Sequence, residues 1–187
     1  MPKASLKQFL SNQRNLGKVI RFSAKTRLKD ESVAEHSFHV AFYAMMLADL
    51  ELKDGRKINI ERLLRSALLH DLEECVTGDI LHDFKHRDRR LNKEIKRIAS
   101  RFYMELMQSL PRGMSSEYYR TWSNAKNEKT AEGKLLHAAD RLDALLYSME
   151  EYHLGNKTFR PIIDEIVKSL KEMKLKSVDY FLKELGF

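Results

Sequence analysis

The chain contains one cysteine, three prolines and seven glycines among 187 residues. A single cysteine, Cys75, excludes an internal disulfide framework and agrees with a reducing compartment. Cys75 itself reads as a small buried hydrophobe at a helix end, since no second feature supports covalent catalysis. No apolar run approaches the length of about 20 residues that spans a bilayer, and the start Met1-Pro2-Lys3-Ala4-Ser5-Leu6 lacks a hydrophobic signal region. The expectation is a cytoplasmic protein with no membrane partner. Alternation of β-branched residues is scarce as well, so helices should dominate and the fold class expected is all-α.

What is present is a chain of one-domain size, 43% hydrophobic and 33% charged, so residues 1–187 are read as a single domain. Helical periodicity marks Leu6 to Ile20, Val33 to Leu50, Ile58 to Glu74, Arg89 to Leu110, Ser116 to Lys126, Lys129 to His153, and Thr158 to Leu185 with a break near Met173. Short loops at Lys53-Asp54-Gly55, Thr77-Gly78-Asp79, Pro111-Arg112-Gly113 and Gly155-Asn156 separate them. Lys and Arg exceed Asp and Glu by 34 to 27, a net charge of +7 that favours anionic partners, phosphorylated metabolites and nucleic acids alike. The most basic stretch is Lys85-His86-Arg87-Asp88-Arg89-Arg90, continuing through Lys93, Lys96, Arg97 and Arg101. It reads first as a solvated helix face, next as a patch that attracts phosphate, and last as a nucleic-acid groove, because no aromatics alternate with its charges as a single-strand binding groove requires. Tyr118, Tyr119 and Trp122 form a separate group that reads as core or subunit contact.

Four residues carry chemistry in the order His36, then His70 with Asp71 directly after it, then Asp140. A lone His-Asp pair is weak evidence, so the neighbours decide. Along Ile58 to Glu74, Asp71 continues the face of Ile60, Leu64 and Ala67 or Leu68, and His70 follows Leu63 and Ala67. His36 precedes Val40, Tyr43, Leu47 and Leu50 on one face. Asp140 borders the stripe of Leu135, Ala139, Leu142, Leu146 and Met149, four residues after Leu136. A carboxylate or imidazole leaning into a core needs a partner or a metal. Two imidazoles and two carboxylates suit a divalent transition metal and leave coordination positions open for water. A hydrogen-bonded core histidine is the ordinary alternative at each position taken singly. Asp143, three residues after Asp140, competes for the last ligand. His39, His82, His86, His137 and His153 show no such convergence and read as surface or supporting residues.

With these residues in place, the chain resembles the HD superfamily of metal-dependent phosphohydrolases. The segments Ser32-Val33-Ala34-Glu35-His36-Ser37, His70-Asp71-Leu72-Glu73-Glu74 and Thr77-Gly78-Asp79 are similar to its bacterial 5'-deoxynucleotidase (YfbR-like) group. The resemblance covers roughly residues 10 to 150, with core motifs in 21–150 and C-terminal helices in 158–185. It implies a single compact helical bundle of the HD type, usually a homodimer, that removes phosphate from deoxyribonucleoside 5'-monophosphates. The cofactor implied is one divalent metal per site, with cobalt, manganese, zinc, iron and nickel all open. By position, His36, His70, Asp71 and Asp140 match the metal ligands. Glu74 matches an acidic residue beside the metal, and its spacing after His70 and Asp71 puts it on their side of a helix. Glu73 competes on spacing alone.

Asp79 matches an acid of the Thr-Gly-Asp turn near the sugar, and Arg21 and Phe22 align with an Arg-Trp pair that contacts the nucleotide. A guanidinium suits a phosphate oxygen and an aromatic face suits a base. Phe in place of Trp keeps the face and loses any indole hydrogen bond. The plain alternative for this pair is a surface charge beside a core aromatic. After Asp79 the family has a Pro-Thr-Pro stretch, whereas this chain has Leu81-His82-Asp83 before Phe84, with Lys85 where the family often keeps a lysine. The expected function is therefore a metal-dependent nucleoside 5'-monophosphate phosphatase. Its rivals are hydrolysis of another phosphorylated compound, such as guanosine tetraphosphate, a cyclic nucleotide or a non-nucleotide phosphate, and a non-catalytic nucleic-acid-binding or interaction module with a structural metal.

Overall fold

The computed structural model describes residues 5–80, 88–111, 113–125 and 127–187. They form α1 (Leu6–Gln13), α2 (Val33–Lys53), α3 (Ile60–Leu69), α4 (Glu74–Thr77), α5 (Arg89–Met107), α6 (Met114–Ala125), α7 (Ala131–His153), α8 (Arg160–Glu172) and α9 (Lys176–Glu184), with 3-10 turns at Arg14–Lys18 and Lys157–Phe159. Among the described residues the one β pairing is an isolated antiparallel bridge of Ile20 with Ser32. None of the described helices is long and apolar enough to cross a membrane.

Local chemistry sets the start of α2. The Ser32 hydroxyl accepts from the Glu35 N–H at 3.2 Å, and the Glu35 carboxylate accepts from the Ser32 N–H at 2.8 Å. This reciprocal cap fixes the first turn, so that His36 begins the buried face continued by Val40, Ala44, Leu47 and Ala48. That face meets Leu135, Ala138, Ala139, Leu142 and Leu145 of α7, with Leu63 and Ala67 of α3, Leu170 of α8 and Leu182 of α9 completing one core. Each fully buried leucine contributes about 1.5–3 kcal/mol. Helix α7 starts at the Thr130 hydroxyl, which accepts from the Gly133 N–H at 3.0 Å. A Cβ on Gly133 would lie 2.1 Å from the Asn127 carbonyl oxygen, so only glycine fits this start.

A second core joins Phe9, Leu16, Val33, Leu72 and Cys75 to Tyr103, Leu106 and Met107 of α5. Trp122 of α6 stacks on Tyr103 with ring centroids 4.3 Å apart and planes at 12°. Tyr118, Tyr119 and Trp122 are thus packing residues, as their sequence pattern suggested.

The helix expected over Ile58 to Glu74 is corrected: α3 stops at Leu69. His70 donates from Nδ1 to the Ala67 carbonyl at 2.6 Å. The backbone then tightens through three-residue bonds, Leu72 N–H to Leu69 O, Glu74 N–H to Asp71 O and Cys75 N–H to Leu72 O. His70 and Asp71 therefore sit in a turn between helices. Helix α4 runs only to Thr77, and Gly78 follows at φ +70° and ψ 169°, a conformation that favours glycine. The first helix likewise ends at Gln13, short of Ile20, because the chain tightens and Ile20 pairs with Ser32. The C-terminal break falls where expected, between Glu172 and Lys176, with Lys174 at φ +52°. Lys85, with the rest of 81–87, lies outside the described residues.

Candidate metal centre

Three helical elements deliver the four residues singled out above. His36 comes from the first turn of α2, His70 caps α3, Asp71 follows in the turn, and Asp140 stands on α7. His36 Nε2 lies 3.3 Å from His70 Nε2, 3.5 Å from Asp71 Oδ2 and 3.4 Å from Asp140 Oδ1. His70 Nε2 lies 3.1 Å from Asp71 Oδ2. His36, His70 and Asp71 bring ligand atoms within 4.8 Å of one another, and Asp140 reaches the group from the side of His36. Both imidazoles are buried, whereas the Asp140 side chain is 39% exposed, so the cluster opens toward solvent past α7.

The far nitrogen of each ring is already committed. A carbonyl oxygen can only accept, so His70 carries its hydrogen on Nδ1. His36 Nδ1 lies 2.6 Å from Asp143 Oδ2. In both neutral rings the lone pair then sits on Nε2, and the two Nε2 atoms face each other beside two carboxylates. Such an arrangement repels itself unless a cation or a proton stands between the donors. The protonation balance agrees. Burial and Arg21 push the His36 imidazole down, but its bonds to Asp140, Asp143 and Asp71 outweigh them and hold it well above its ordinary value. Burial raises the Asp140 carboxyl, yet the contacts with His36 and His70 pull it below the usual carboxylate range. A mixed nitrogen and oxygen set with oriented imidazoles fits a divalent transition metal.

Beside this cluster lies a partly buried ionic network whose members the sequence does not bring together. Arg21 Nη1 donates to Glu31 Oε2 at 2.5 Å and to Asp143 Oδ2 at 2.9 Å. His39 Nδ1 stands 3.3 Å from Asp143 Oδ1 and 3.6 Å from Glu31 Oε1. Arg21, its side chain 13% exposed, is thus a part-buried, paired cation and not a free surface charge. The chain between Arg21 and Glu31 folds back on itself, the Arg21 N–H meeting the Glu31 carbonyl at 2.9 Å. Glu151 accepts from the Leu28 and Lys29 N–H groups, Tyr147 donates to the Lys29 carbonyl and Asn156 donates to the Thr26 carbonyl, so α7 and the residues after it tie this loop down. Phe22, at φ +53°, stacks on Tyr147 with centroids 5.0 Å apart and sets its edge against Phe159 at 5.7 Å.

The two adjacent glutamates part company. Glu73 Oε2 accepts from the Trp122 indole N–H at 2.7 Å, which ties it to the second core. Glu74 is buried at the start of α4, its N–H bonded to the carbonyl of Asp71 at 3.0 Å. Asp79 follows Gly78, half-buried. Cys75 is buried and its thiol pushed up to about 11, by burial first and then by the charge of Glu73.

Comparison with known proteins gives a consistent result. The family model of the YfbR-like 5'-deoxynucleotidases matches residues 8–186. A 5'-deoxynucleotidase of Photorhabdus laumondii is 30% identical over 179 residues, 95% of this chain and 90% of that protein. Its counterpart in Vibrio vulnificus is 30% identical over 175 residues, 93% and 90% respectively. Among solved structures, an HD-domain phosphohydrolase from Listeria innocua superimposes with a TM-score of 0.86 at 28% identity, over 96% of this chain and 87% of that one. A predicted metal-dependent phosphohydrolase from Magnetospirillum magnetotacticum gives 0.69 at 26% identity, over 96% and 88%. With the single-domain helical fold and the His and Asp cluster in place, these matches make the chain a member of the YfbR-like 5'-deoxynucleotidase family of HD-domain phosphohydrolases.

Proposed function

We propose that the protein hydrolyses deoxyribonucleoside 5'-monophosphates to nucleoside and phosphate, with a divalent transition metal held by His36, His70, Asp71 and Asp140. One observation carries the site: two Nε2 atoms 3.3 Å apart, each on a ring whose other nitrogen is bonded elsewhere. When bound, such a cation lowers the pKa of water and neutralises charge on a phosphoryl oxygen; cobalt, manganese, zinc, iron and nickel all suit this donor set. During hydrolysis an oxygen–phosphorus bond forms to water, the bond from phosphorus to the 5' oxygen breaks, and that oxygen takes up a proton. Glu74 is assigned the proton, either orienting the attacking water or protonating the leaving oxygen. The bond from Trp122 to Glu73 favours Glu74 over Glu73 for that role.

Arg21 is assigned a phosphate oxygen. Among the described residues both side-chain hydrogen bonds of Arg21 run through Nη1, so Nη2 is the donor a phosphate would meet, with the guanidinium already oriented for it. Phe22 is assigned the base, although one of its faces is taken by Tyr147. Asp79, directly after Gly78, is assigned the sugar, and Lys85 the phosphate. The test is phosphate release from ribo- and deoxyribonucleoside 5'-monophosphates by chelator-stripped protein, with and without each cation. Cation-dependent release that favours deoxy substrates is expected. Release from other phosphate esters alone would move the substrate assignment, and full turnover by metal-free Asp71→Ala protein would sink the metal centre.

A homodimer fits the outer face of α2. Phe38, Phe42 and Met46 recur there four residues apart and are 65%, 46% and 38% exposed. A second α2 laid antiparallel about a two-fold axis sets Phe42 against Met46 and Glu35 against Lys53, pairing apolar with apolar and acid with base. Light scattering on native protein and on Phe42→Glu protein tests it: dimer and monomer are expected, and a monomeric native protein would refute it.

A further inference from the structure

We infer that Asp143 is a positioning residue that sets two parts of the site at once: the nitrogen that His36 offers to the metal, and the place of the Arg21 guanidinium. The inference rests on the metal reading of His36 given above. Asp143 stands on α7 three residues after Asp140, with its side chain 2% exposed. One oxygen, Oδ2, meets His36 Nδ1 at 2.6 Å and Arg21 Nη1 at 2.9 Å, while Oδ1 faces His39 Nδ1 at 3.3 Å.

The chemistry follows from what a carboxylate can do. An ionised Asp143 only accepts, so His36 carries its hydrogen on Nδ1 and presents a lone pair at Nε2. Nε2 is the atom that faces His70, Asp71 and Asp140. Without an obligate acceptor at Nδ1, the ring is free to carry its hydrogen on Nε2, where it blocks coordination. The same oxygen anchors Arg21, so the metal ligand and the cation for phosphate are registered against each other through one atom. Glu31 acts differently. It shares Arg21 with Asp143, 2.5 Å from the guanidinium, and among the described residues it makes no hydrogen bond to His36, which it meets only through the longer-range attraction of charge. Asp143 thus touches a ligand, Glu31 steadies the guanidinium, and neither touches the reacting atoms.

Asp143→Asn keeps the shape of the side chain and removes its charge and its purely accepting character. In zinc-loaded protein labelled with 15N-histidine, the native His36 is expected to show an Nδ1 proton far downfield, as a short bond to a carboxylate requires. Asp143→Asn is expected to move or lose that signal, and to raise the zinc dissociation constant, read by chelator competition, about 10- to 100-fold. KM for a deoxyribonucleoside monophosphate should rise as Arg21 loses its anchor. Glu31→Gln separates the two effects and serves as well if the Asn protein does not fold. It should raise KM while leaving the His36 signal and zinc affinity unchanged. A folded Asp143→Asn protein with native zinc affinity and an unmoved Nδ1 signal would overturn the proposal, as would Glu31→Gln shifting that signal. Native protein that binds no zinc or other divalent cation would instead overturn the metal centre itself.

Discussion

Replacing Glu73 and Glu74 by glutamine, one at a time, decides which of two neighbouring acids works in the reaction. The Trp122 indole donates to Glu73 at 2.7 Å, and a hydrogen bond to a charged group contributes about 1.5–3 kcal/mol. Glutamine keeps an acceptor oxygen there, so Glu73→Gln should cost about 1 kcal/mol, whereas Glu73→Ala leaves the half-buried indole N–H unpaired and loses the full amount. At about 2–4 °C per kcal/mol for a chain of this size, the expected falls in Tm are about 2–4 °C for Gln and about 3–12 °C for Ala. Neither should change kcat by more than about twofold once the protein is folded and supplied with cation, because Glu73 faces Trp122 and the second core. Glu74→Gln should behave in the opposite way. It should bind metal and melt near the native temperature, yet lose about 10²–10⁴ in kcat, the usual contribution of a positioned acid or base. The assay combines phosphate release at saturating cation, metal content by mass spectrometry and a thermal melt on each protein. If Glu73→Gln lost the rate and Glu74→Gln kept it, the assignment would be reversed.

Other perturbations test other links. Gly133→Ala drives a Cβ against the Asn127 carbonyl oxygen, 2.1 Å away, and should destabilise by at least about 1–3 kcal/mol as the start of α7 shifts; an unchanged melt would show that the start of α7 is not fixed by this contact. The Cys75 thiol, pushed from 9.0 up to about 11, should react with a disulfide reagent at pH 8 about 100-fold more slowly in native than in urea-unfolded protein, since each unit is a factor of ten in thiolate. Equal rates would place Cys75 at the surface. Adding a preferred cation at about 100 times its dissociation constant should stabilise stripped protein by about 2.7 kcal/mol, a rise in Tm of about 5–11 °C that chelator reverses. No shift with any divalent cation would remove the metal from the fold's energetics.

The parts of this molecule that were legible in the sequence are those written locally. The apolar step from His36 to Leu47 marks the body of α2 without reference to anything else. The break near Met173 and the packing of Trp122 could be read in the same way. The stop of α3 at Leu69 could not, because Leu72 and Cys75 continue an apolar pattern that suits a helix and a tight turn equally. Asp140 and Asp143 pose the same difficulty on α7. Both are aspartates at the edge of one face, and only the placement of His36 shows that one faces Nε2 and the other Nδ1. Glu31 carried no local signal. Its part depends on a loop folding back so that residues ten apart share a guanidinium.

The cluster also has a mechanical consequence, since its ligands border two apolar cores that α2 and α6 both reach, through Val33 and Ala125. His36 and Asp140 stand on α2 and α7, whose inner faces are the larger core of Val40, Ala44, Leu47, Leu135 and Leu142. Asp71 precedes Leu72 and Cys75, which belong to the smaller core with Tyr103, Leu106 and Met107. A cation shared by His36, Asp71 and Asp140 would therefore fasten the small core to the large one. The larger core holds the greater number of fully buried side chains, while the turn at 70–73 is held on the other side by the bond from Trp122 to Glu73. Removing the cation should then release the smaller core first. Backbone hydrogen exchange after chelation should accelerate in α4, α5 and α6 by more than in α2, α7 and α8, because local opening takes the route that breaks the fewest buried contacts. A uniform acceleration over both cores, or a faster rise in α2 and α7, would show that the ligands do not bridge two cores in this way.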